Sequence, residues 1–171
     1  TITDGRMKVS DCILLNNHTE YGVEDIVGSM LASLDDNNQT NIALYERFGH
    51  STALQPIITL PFSSARKLSA VTFEGVGTFV LGAPEFVLKP MPTRIDKIVK
   101  QYAQMGLRVL VLAHSAGQIQ GDKTPAGLKA VCILTLSDNI RPDAVDTIKW
   151  FKENDVAVKV ISGDNPVTVA E

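Results

Sequence analysis

The sequence has 171 residues, of which 44% are hydrophobic and 20% charged, and it carries a net charge of −3 at pH 7. This composition is globular, and the lack of a basic excess argues against nucleic acid or an anionic membrane as a partner. The apolar stretches are shorter than the about 20 residues of a transmembrane helix, and the first residues lack the basic and apolar regions of a signal peptide. The absence of an initiator Met suggests a piece of a longer chain, with removal of the Met by processing as the alternative.

The first half of the sequence alternates between strand-like and helix-like segments. Apolar residues at helical spacing predict a helix over residues 24–34, and Thr40 is expected to cap a second helix that reaches Phe48. Residues 75–77 predict a tight turn between two strands. The strands predicted in this half are residues 7–15, 55–62, 68–73 and 78–81.

The second half ends in a different organisation. Its order of strand, helix, strand, loop and helix is typical of a parallel α/β unit, and we place the junction near residues 138–142. Thr93 is expected to cap the first helix of this half, and Gly106 to end it. The predicted elements are helix 93–105, strands 107–114 and 128–136, helix 142–154 and strand 156–161.

Two cysteines, Cys12 and Cys132, lie in apolar strand-like runs, where reduced and buried thiols are expected. The three histidines have no ligand spacing with Cys, Asp or Glu. We therefore expect no transition-metal site.

A candidate anion site comes after the last predicted strand, at Ser162-Gly163-Asp164-Asn165. A loop at the carboxyl end of a parallel strand that opens into a helix is where α/β sheets bind ligands. Helix N-termini favour anions, and Asn165 and Pro166 suit the N-cap and the first helical position. The alternative is an ordinary strand-to-helix turn.

Arg108 is notable because it lies inside an apolar strand-like run. A lone Arg in such a place should bind either an anion or a nearby carboxylate, so both interpretations stay open. Gly82 comes at the end of another predicted strand, where it allows a close backbone approach, and Pro84 can begin a helix after it.

Five stretches occur in order along the chain: TITDGRMKV, PFSSARKLSAV, FVLGAPEFVL, MGLRVLVLA and LSDNIRPDAVDTIKWFKENDVAVKVISGDNPVTVAE. Together they resemble the P-type ion-pumping ATPases over essentially the whole chain. The first is similar to the continuation of the family's Asp-Lys-Thr-Gly-Thr phosphorylation motif, so the nucleophilic Asp would lie four positions before Thr1. In the last, Ser162 replaces the Thr of the family's Thr-Gly-Asp-Asn loop and keeps a hydroxyl.

The resemblance implies an α/β (α+β) fold with two parts. An antiparallel sheet flanked by helices would form the nucleotide-binding domain over residues 6–140. A partial haloacid-dehalogenase-like parallel α/β piece, residues 1–5 and 141–171, would belong to the phosphorylation domain.

The implied function is that of a cytosolic ATP-binding domain in a membrane pump, which couples ATP hydrolysis through an aspartyl phosphate to cation transport. The cofactor would be ATP, as Mg-ATP in the parent, with the Mg²⁺ ligands mostly outside this sequence. The implied partners are ATP and the rest of the pump, including its transmembrane and actuator domains. Because the nucleophilic Asp lies outside the sequence, we expect this chain alone to bind nucleotide without turning it over.

The resemblance assigns four residues to the nucleotide. Phe62 would stack on adenine, as an alternative to packing in the core at a strand end. Lys67 would line the adenine pocket, as an alternative to lying on a solvated strand edge. Arg108 would contact the phosphates, for which its planar fork is suited, and Leu110 would pack against the base.

Two further nucleotide contacts, and one departure from the family, come from the same resemblance. Asn41 stands where many members have Glu, and its carbonyl would accept a hydrogen bond from the adenine amino group; the alternative is a plain first-turn helix residue. Gly82 belongs to the Gly-Ala-Pro-Glu segment at the nucleotide. Leu81 replaces the usual Lys, which predicts weaker or differently oriented nucleotide binding.

The last three assignments concern phosphoryl transfer. Arg141, in the Asp-x-x-Arg-Pro turn at the hinge between the two parts, would reach ATP when the domains close. Ser162 and Asp164 would meet the γ-phosphate and the aspartyl phosphate. No residue is assigned to a metal.

Two other functions stay open at this point. A soluble haloacid-dehalogenase-type phosphatase with a large cap shares the Ser-Gly-Asp style of loop and the strand-helix-strand order. A non-catalytic interaction module on a degenerate nucleotide-binding fold is favoured by Leu81.

Overall fold

The computed structural model describes residues 3–16, 20–157 and 159. Within these residues it contains a six-stranded sheet and five helices. The strands are β1 (Thr3–Leu14), β2 (Pro56–Ser63), β3 (Leu68–Phe73), β4 (Gly77–Gly82), β5 (Arg108–Ser115) and β6 (Lys129–Ile140). The helices are α1 (Val23–Ser33), α2 (Gln39–Phe48), α3 (Pro84–Val87), α4 (Thr93–Gln104) and α5 (Ala144–Glu153).

The sheet is antiparallel throughout, with the strand order β1-β6-β5-β4-β3-β2. This confirms the predicted antiparallel sheet flanked by helices. From β2 to β6 each strand pairs with the next in sequence, and a hairpin turn closes between Phe73 and Gly77. Gly75 and Gly77 take positive φ angles of 69° and 100° there, which glycine adopts without steric cost. β1 pairs with β6 and therefore joins the first part of the chain to the last of the described strands.

Both faces of the sheet are buried. Phe79 and Leu81 of β4 belong to a core beneath α1 and α2, whereas Val80 between them belongs to a core beneath α4. The alternation results from the two-residue repeat of a strand. Because helices cover both faces, β3 and β4 have continuous buried runs instead of an alternation of apolar and polar residues.

β1 and β6 extend furthest beyond their predicted bounds. β1 begins at Thr3 instead of residue 7, and β6 continues to Ile140 instead of ending at residue 136. The added end of β6 pairs with the first part of β1 beyond Arg108, the first paired residue of β5, as in Thr3 with Ile140. A two-stranded ribbon buries little surface, so it needs few apolar residues and its polar sequence gave no strand signal.

The predicted caps of two helices are wrong. α2 is capped by Asn38 instead of Thr40, since the Asn38 Oδ1 accepts a hydrogen bond from the Asn41 N–H at 3.0 Å. Among the Asn and Thr residues of this loop, Asn is the better N-cap. α4 begins at Thr93, but the N-cap position belongs to Pro92, and no side chain caps this helix.

The end of the chain is described only in part. α5 agrees with the predicted helix 142–154 but begins two residues later, at Ala144, and ends one residue earlier, at Glu153. Half of the predicted strand 156–161 lies outside the described residues, and so do Ser162 and Asp164. In the part of the chain that the structure describes, none of the helices has the length and apolar character needed to span a bilayer.

Candidate functional site

A cavity of about 420 Å³ opens where α2, β2, β4, β5 and α3 come together. Its volume lies within the range of small-molecule sites, about 300–1,000 Å³. Six of the seven residues that the sequence associates with a nucleotide line it, although they come from separate elements. They are Asn41, Phe62, Lys67, Gly82, Arg108 and Leu110.

The floor of the cavity is apolar and its rim carries an aromatic ring. Leu44 of α2 and Leu81 of β4 are buried there, and Leu110 of β5 is half-buried. Phe62, at the end of β2, exposes 41% of its surface and does not belong to either core. An exposed ring beside a concave apolar surface has a free face on which a planar group can stack.

The backbone of Lys67 is held at the turn between β2 and β3. Its N–H donates to the Ser63 carbonyl at 2.8 Å, and its own carbonyl accepts from the Ala83 N–H at 3.0 Å. Its φ of 56° is left-handed, which costs about 1 kcal/mol or more for a residue with a Cβ. The exposed side chain of Lys67 therefore starts from a fixed point on the cavity wall.

Gly82 is required by the approach of two strands. A Cβ on Gly82 would lie 2.5 Å from the Lys67 carbonyl oxygen and 2.5 Å from the Leu68 Cβ. The close approach expected from the sequence is therefore made by the protein's own backbone. It brings the end of β4 against the β2–β3 turn and so closes one side of the cavity.

Arg108 lies at the start of β5 and is half-buried. It lines the main cavity together with Glu85, and it also lines a smaller adjoining cavity of about 190 Å³ together with Glu85 and Asp138. Arg108 thus shares the lining of two cavities with carboxylate residues, and its guanidinium group is suited to bind either a carboxylate or an anionic ligand.

Asn41 is fixed from two sides. Its backbone N–H donates to the side chain of Asn38, and its side-chain Nδ2 donates to the Asp36 carbonyl oxygen at 3.2 Å. With the amide nitrogen used in this way, the Oδ1 of Asn41 is the group that can accept a hydrogen bond from a ligand. Asn41 is also a first-turn helix residue, so the two interpretations of this position are compatible.

Arg141 is not among the residues that line this cavity. Its Nε donates to Asp143 Oδ1 at 3.0 Å and its Nη2 to Asp143 Oδ2 at 2.7 Å, and both side chains are exposed. This hydrogen-bonded pair lowers the pKa of Asp143 and raises the pKa of Arg141.

The sequence prediction missed several lining residues. Ser69, Glu85 and Phe86 also face the cavity, as do Asn38 and Thr40 at the start of α2. Glu85 and Phe86 directly follow Gly82-Ala83-Pro84 in the sequence. Their proximity to this segment, which already contained a predicted nucleotide contact, was the sequence signal that could have identified them.

The two cysteines lie outside this cavity, on the neighbouring strands β1 and β6. Cys132 is buried as expected, but Cys12 is only half-buried because β1 is an edge strand. A hydrogen bond between the thiols lowers the pKa of Cys12, and the same bond together with burial raises the pKa of Cys132. Among the described residues, no group of three or more His, Cys, Asp or Glu side chains is placed to hold a metal ion.

The chain is similar to transport ATPases along nearly its full length. It is 38% identical over 173 residues to the probable cation-transporting ATPase exp7 of Streptococcus pneumoniae, which covers 99% of this chain and 22% of that protein. It is 34% identical over 169 residues to the calcium-transporting ATPase CtpE of Mycolicibacterium smegmatis, which covers 99% of this chain and 21% of that protein. The chain therefore spans about a fifth of the length of these curated relatives. No protein-family model matches it.

A solved structure has the same fold. The crystal structure of a zinc-transporting PIB-type ATPase aligns with a TM-score of 0.63 at 13% identity, over 99% of this chain and 25% of that one. At this identity the likeness concerns the fold alone.

Proposed function

Because the chain belongs to the P-type cation-transporting ATPases, we propose that residues 6–140 are the nucleotide-binding domain of such a pump. The cavity at the start of α2 is then its ATP site. Residues 1–5 and 141–171 belong to the phosphorylation domain in this proposal.

The observation that carries the proposal is the convergence of the six residues on one cavity. They lie on α2, at the end of β2, in the β2–β3 turn, at the end of β4 and on β5. The resemblance to the P-type ATPases assigns each of them to the nucleotide, and in the structure all six line the same cavity. If the six residues lay on separate surfaces, they could not contact one common ligand.

The two ends of the cavity suit the two ends of ATP. The ring of Phe62 and the apolar floor suit a nucleobase, since stacking on an aromatic side chain contributes about 1–3 kcal/mol per base. The Oδ1 of Asn41 is an acceptor for the adenine amino group. Arg108 provides a planar pair of donors for phosphate oxygens. Leu81 in the floor adds apolar contact without the charge of the Lys it replaces.

The larger protein, in the same proposal, is an ATP-driven cation pump in a membrane, with this chain in the cytoplasm. ATP would act with Mg²⁺, and phosphoryl transfer would pass through an aspartyl phosphate, which divides one difficult step into two easier ones. Ser162 and Asp164 would meet the phosphoryl group, and Arg141 would reach ATP on domain closure. The transmembrane and actuator domains of the pump would be its partners.

The test is a titration of this chain with ATP, monitored by NMR on the backbone amides. We expect shifts at Phe62, Lys67 and Arg108, and none at Lys123, which lies in the β5–β6 loop outside this cavity. An absence of shifts at millimolar ATP would refute the binding proposal and would favour the non-catalytic interaction module. The curated relatives are transport ATPases, which favours the pump over a soluble phosphatase.

A further inference from the structure

The loop between α1 and α2 contacts two residues of the cavity through a single aspartate. The Oδ2 of Asp36 accepts a hydrogen bond from the backbone N–H of Phe62 at 3.0 Å, across 26 positions of sequence. The backbone carbonyl of Asp36 accepts from Asn41 Nδ2 at 3.2 Å. Asp36 therefore connects the backbone of Phe62 with the side-chain amide of Asn41, and both of these residues line the cavity although Asp36 does not.

Phe62 depends on this contact because strand pairing does not hold it. The β2–β3 register is regular from Ile58 opposite Thr72 to Leu60 opposite Ala70 and resumes with Ser63 opposite Leu68. Pro61 and Phe62 therefore together oppose one residue of β3. This is a bulge, an irregularity that re-aims side chains and leaves ladder hydrogen bonds unmade. β2 is also an edge strand, with no strand on its other side.

Side chains replace the missing ladder bonds at the bulge. Arg66 Nη2 donates to the Pro61 carbonyl at 3.0 Å, and Asp36 accepts from the Phe62 N–H. Pro61 has no backbone N–H and therefore needs no hydrogen-bond acceptor at this point. The backbone of Phe62 at the bulge is consequently held by a carboxylate from the α1–α2 loop.

We propose that Asp36 is a positioning residue for the base end of the site, where it holds the Phe62 ring and the Asn41 amide in one fixed geometry. This inference rests on the proposed nucleotide function. It predicts that loss of the Asp36 side chain weakens binding of the base and leaves binding of the phosphates unchanged. Arg108, at the phosphate end, lies on β5, which is held independently by its pairing with β4 and β6.

The experiment compares three variants of the 171-residue chain. Asp36→Ala removes the acceptor and the charge, Asp36→Asn removes the charge but keeps an acceptor oxygen, and Asp35→Ala removes the same charge from the exposed neighbour. Any long-range attraction or repulsion of ATP therefore changes equally in all three. Dissociation constants are measured for ATP and for inorganic tripolyphosphate, which has no base, and amide shifts are recorded at Phe62 and Arg108.

We expect Asp36→Ala to weaken ATP binding about five- to tenfold, as a partial loss of base stacking would. The affinity of Asp36→Ala for tripolyphosphate should stay within about twofold of the wild-type value. Its ATP-induced amide shift at Phe62 should shrink, while the shift at Arg108 persists. Asp36→Asn and Asp35→Ala should resemble the wild type. Unchanged ATP binding in Asp36→Ala, or an equal loss of ATP and tripolyphosphate, would overturn the inference alone. Failure of the wild type itself to bind ATP would instead remove the proposed function and this inference with it.

Discussion

Gly82 and Lys67 approach so closely that a Cβ on Gly82 would lie 2.5 Å from the Lys67 carbonyl oxygen. The same carbonyl accepts a hydrogen bond from the Ala83 N–H at 3.0 Å, so the β2–β3 turn is joined directly to the end of β4 at the cavity wall. The shape of the site therefore depends on a residue that has no side chain to offer a ligand.

Substitution of Gly82 by Ala should destabilise the protein, because the contacted atoms are backbone and a β-carbon that cannot rotate away. We expect a loss of about 1–3 kcal/mol in the free energy of unfolding, measured by urea denaturation, as for other overpacked positions. Gly22→Ala is the control, since its Cβ would meet only the flexible Glu24 side chain at 3.4 Å, and it should cost about 1 kcal/mol or less. Equal losses in the two variants would contradict this account of Gly82.

Phe62→Ala should weaken ATP binding by about 1–3 kcal/mol, the contribution of one stacked base, measured by isothermal titration calorimetry. The free energy of unfolding should change little, because the ring is 41% exposed and outside both cores. Phe62→Trp should retain binding. The control is Tyr45→Ala, an exposed aromatic outside the cavity, and an equal effect of the two Ala variants would exclude a specific stacking role.

Arg108→Ala decides between the two interpretations of a lone Arg in an apolar strand. If Arg108 binds phosphate, ATP affinity should fall at least tenfold, by about 1.4 kcal/mol or more, and the loss should diminish as salt is raised. Arg108→Lys should retain only part of the wild-type ATP affinity, because an ammonium group lacks the planar fork of the guanidinium group. If Arg108 serves only as the partner of a protein carboxylate, the variant should unfold more easily and bind ATP as the wild type does. Arg94→Ala, on α4 outside the cavity, is the matched loss of charge.

Asp4 should titrate below the ordinary range of an aspartate. Its carboxylate accepts hydrogen bonds from the Arg6 backbone N–H at 2.9 Å and from Asn139 Nδ2 at 2.6 Å, and these bonds lower its pKa. A group with a lowered native pKa stabilises the fold above its unfolded pKa, and this stabilisation is lost as the pH falls through the native value. The relevant window therefore lies below about pH 4.

Asn139→Ala should move the Asp4 pKa upward, toward its ordinary value, without restoring it completely, because the larger contribution comes from the Arg6 N–H. A pH titration of the side-chain carboxyl carbons by NMR measures both values. An unchanged Asp4 pKa in the variant would mean that the bond across the β1–β6 ribbon does not form in solution.

The sequence was most informative where local pattern and burial agree. β3 was predicted with its observed bounds because a short apolar run ends at a glycine turn, and α1 was predicted because its apolar residues recur with the helical period. The family resemblance came from motifs that each lie within a few neighbouring residues. Information of this kind is local, so it can be read from the sequence without knowledge of the fold.

Only the tertiary structure decided which distant residues meet. It extended β1 and β6 through polar residues, placed Asn38 at the α2 cap, left Phe62 outside the core and joined Asp36 to it. Such contacts join groups that lie far apart in the chain, and a hydrogen bond between a carboxylate and an N–H 26 positions away leaves no periodic trace in the sequence. The sequence by itself therefore determined the elements and the family, while the cavity and the geometry of its rim exist only once the sheet has brought its strands together.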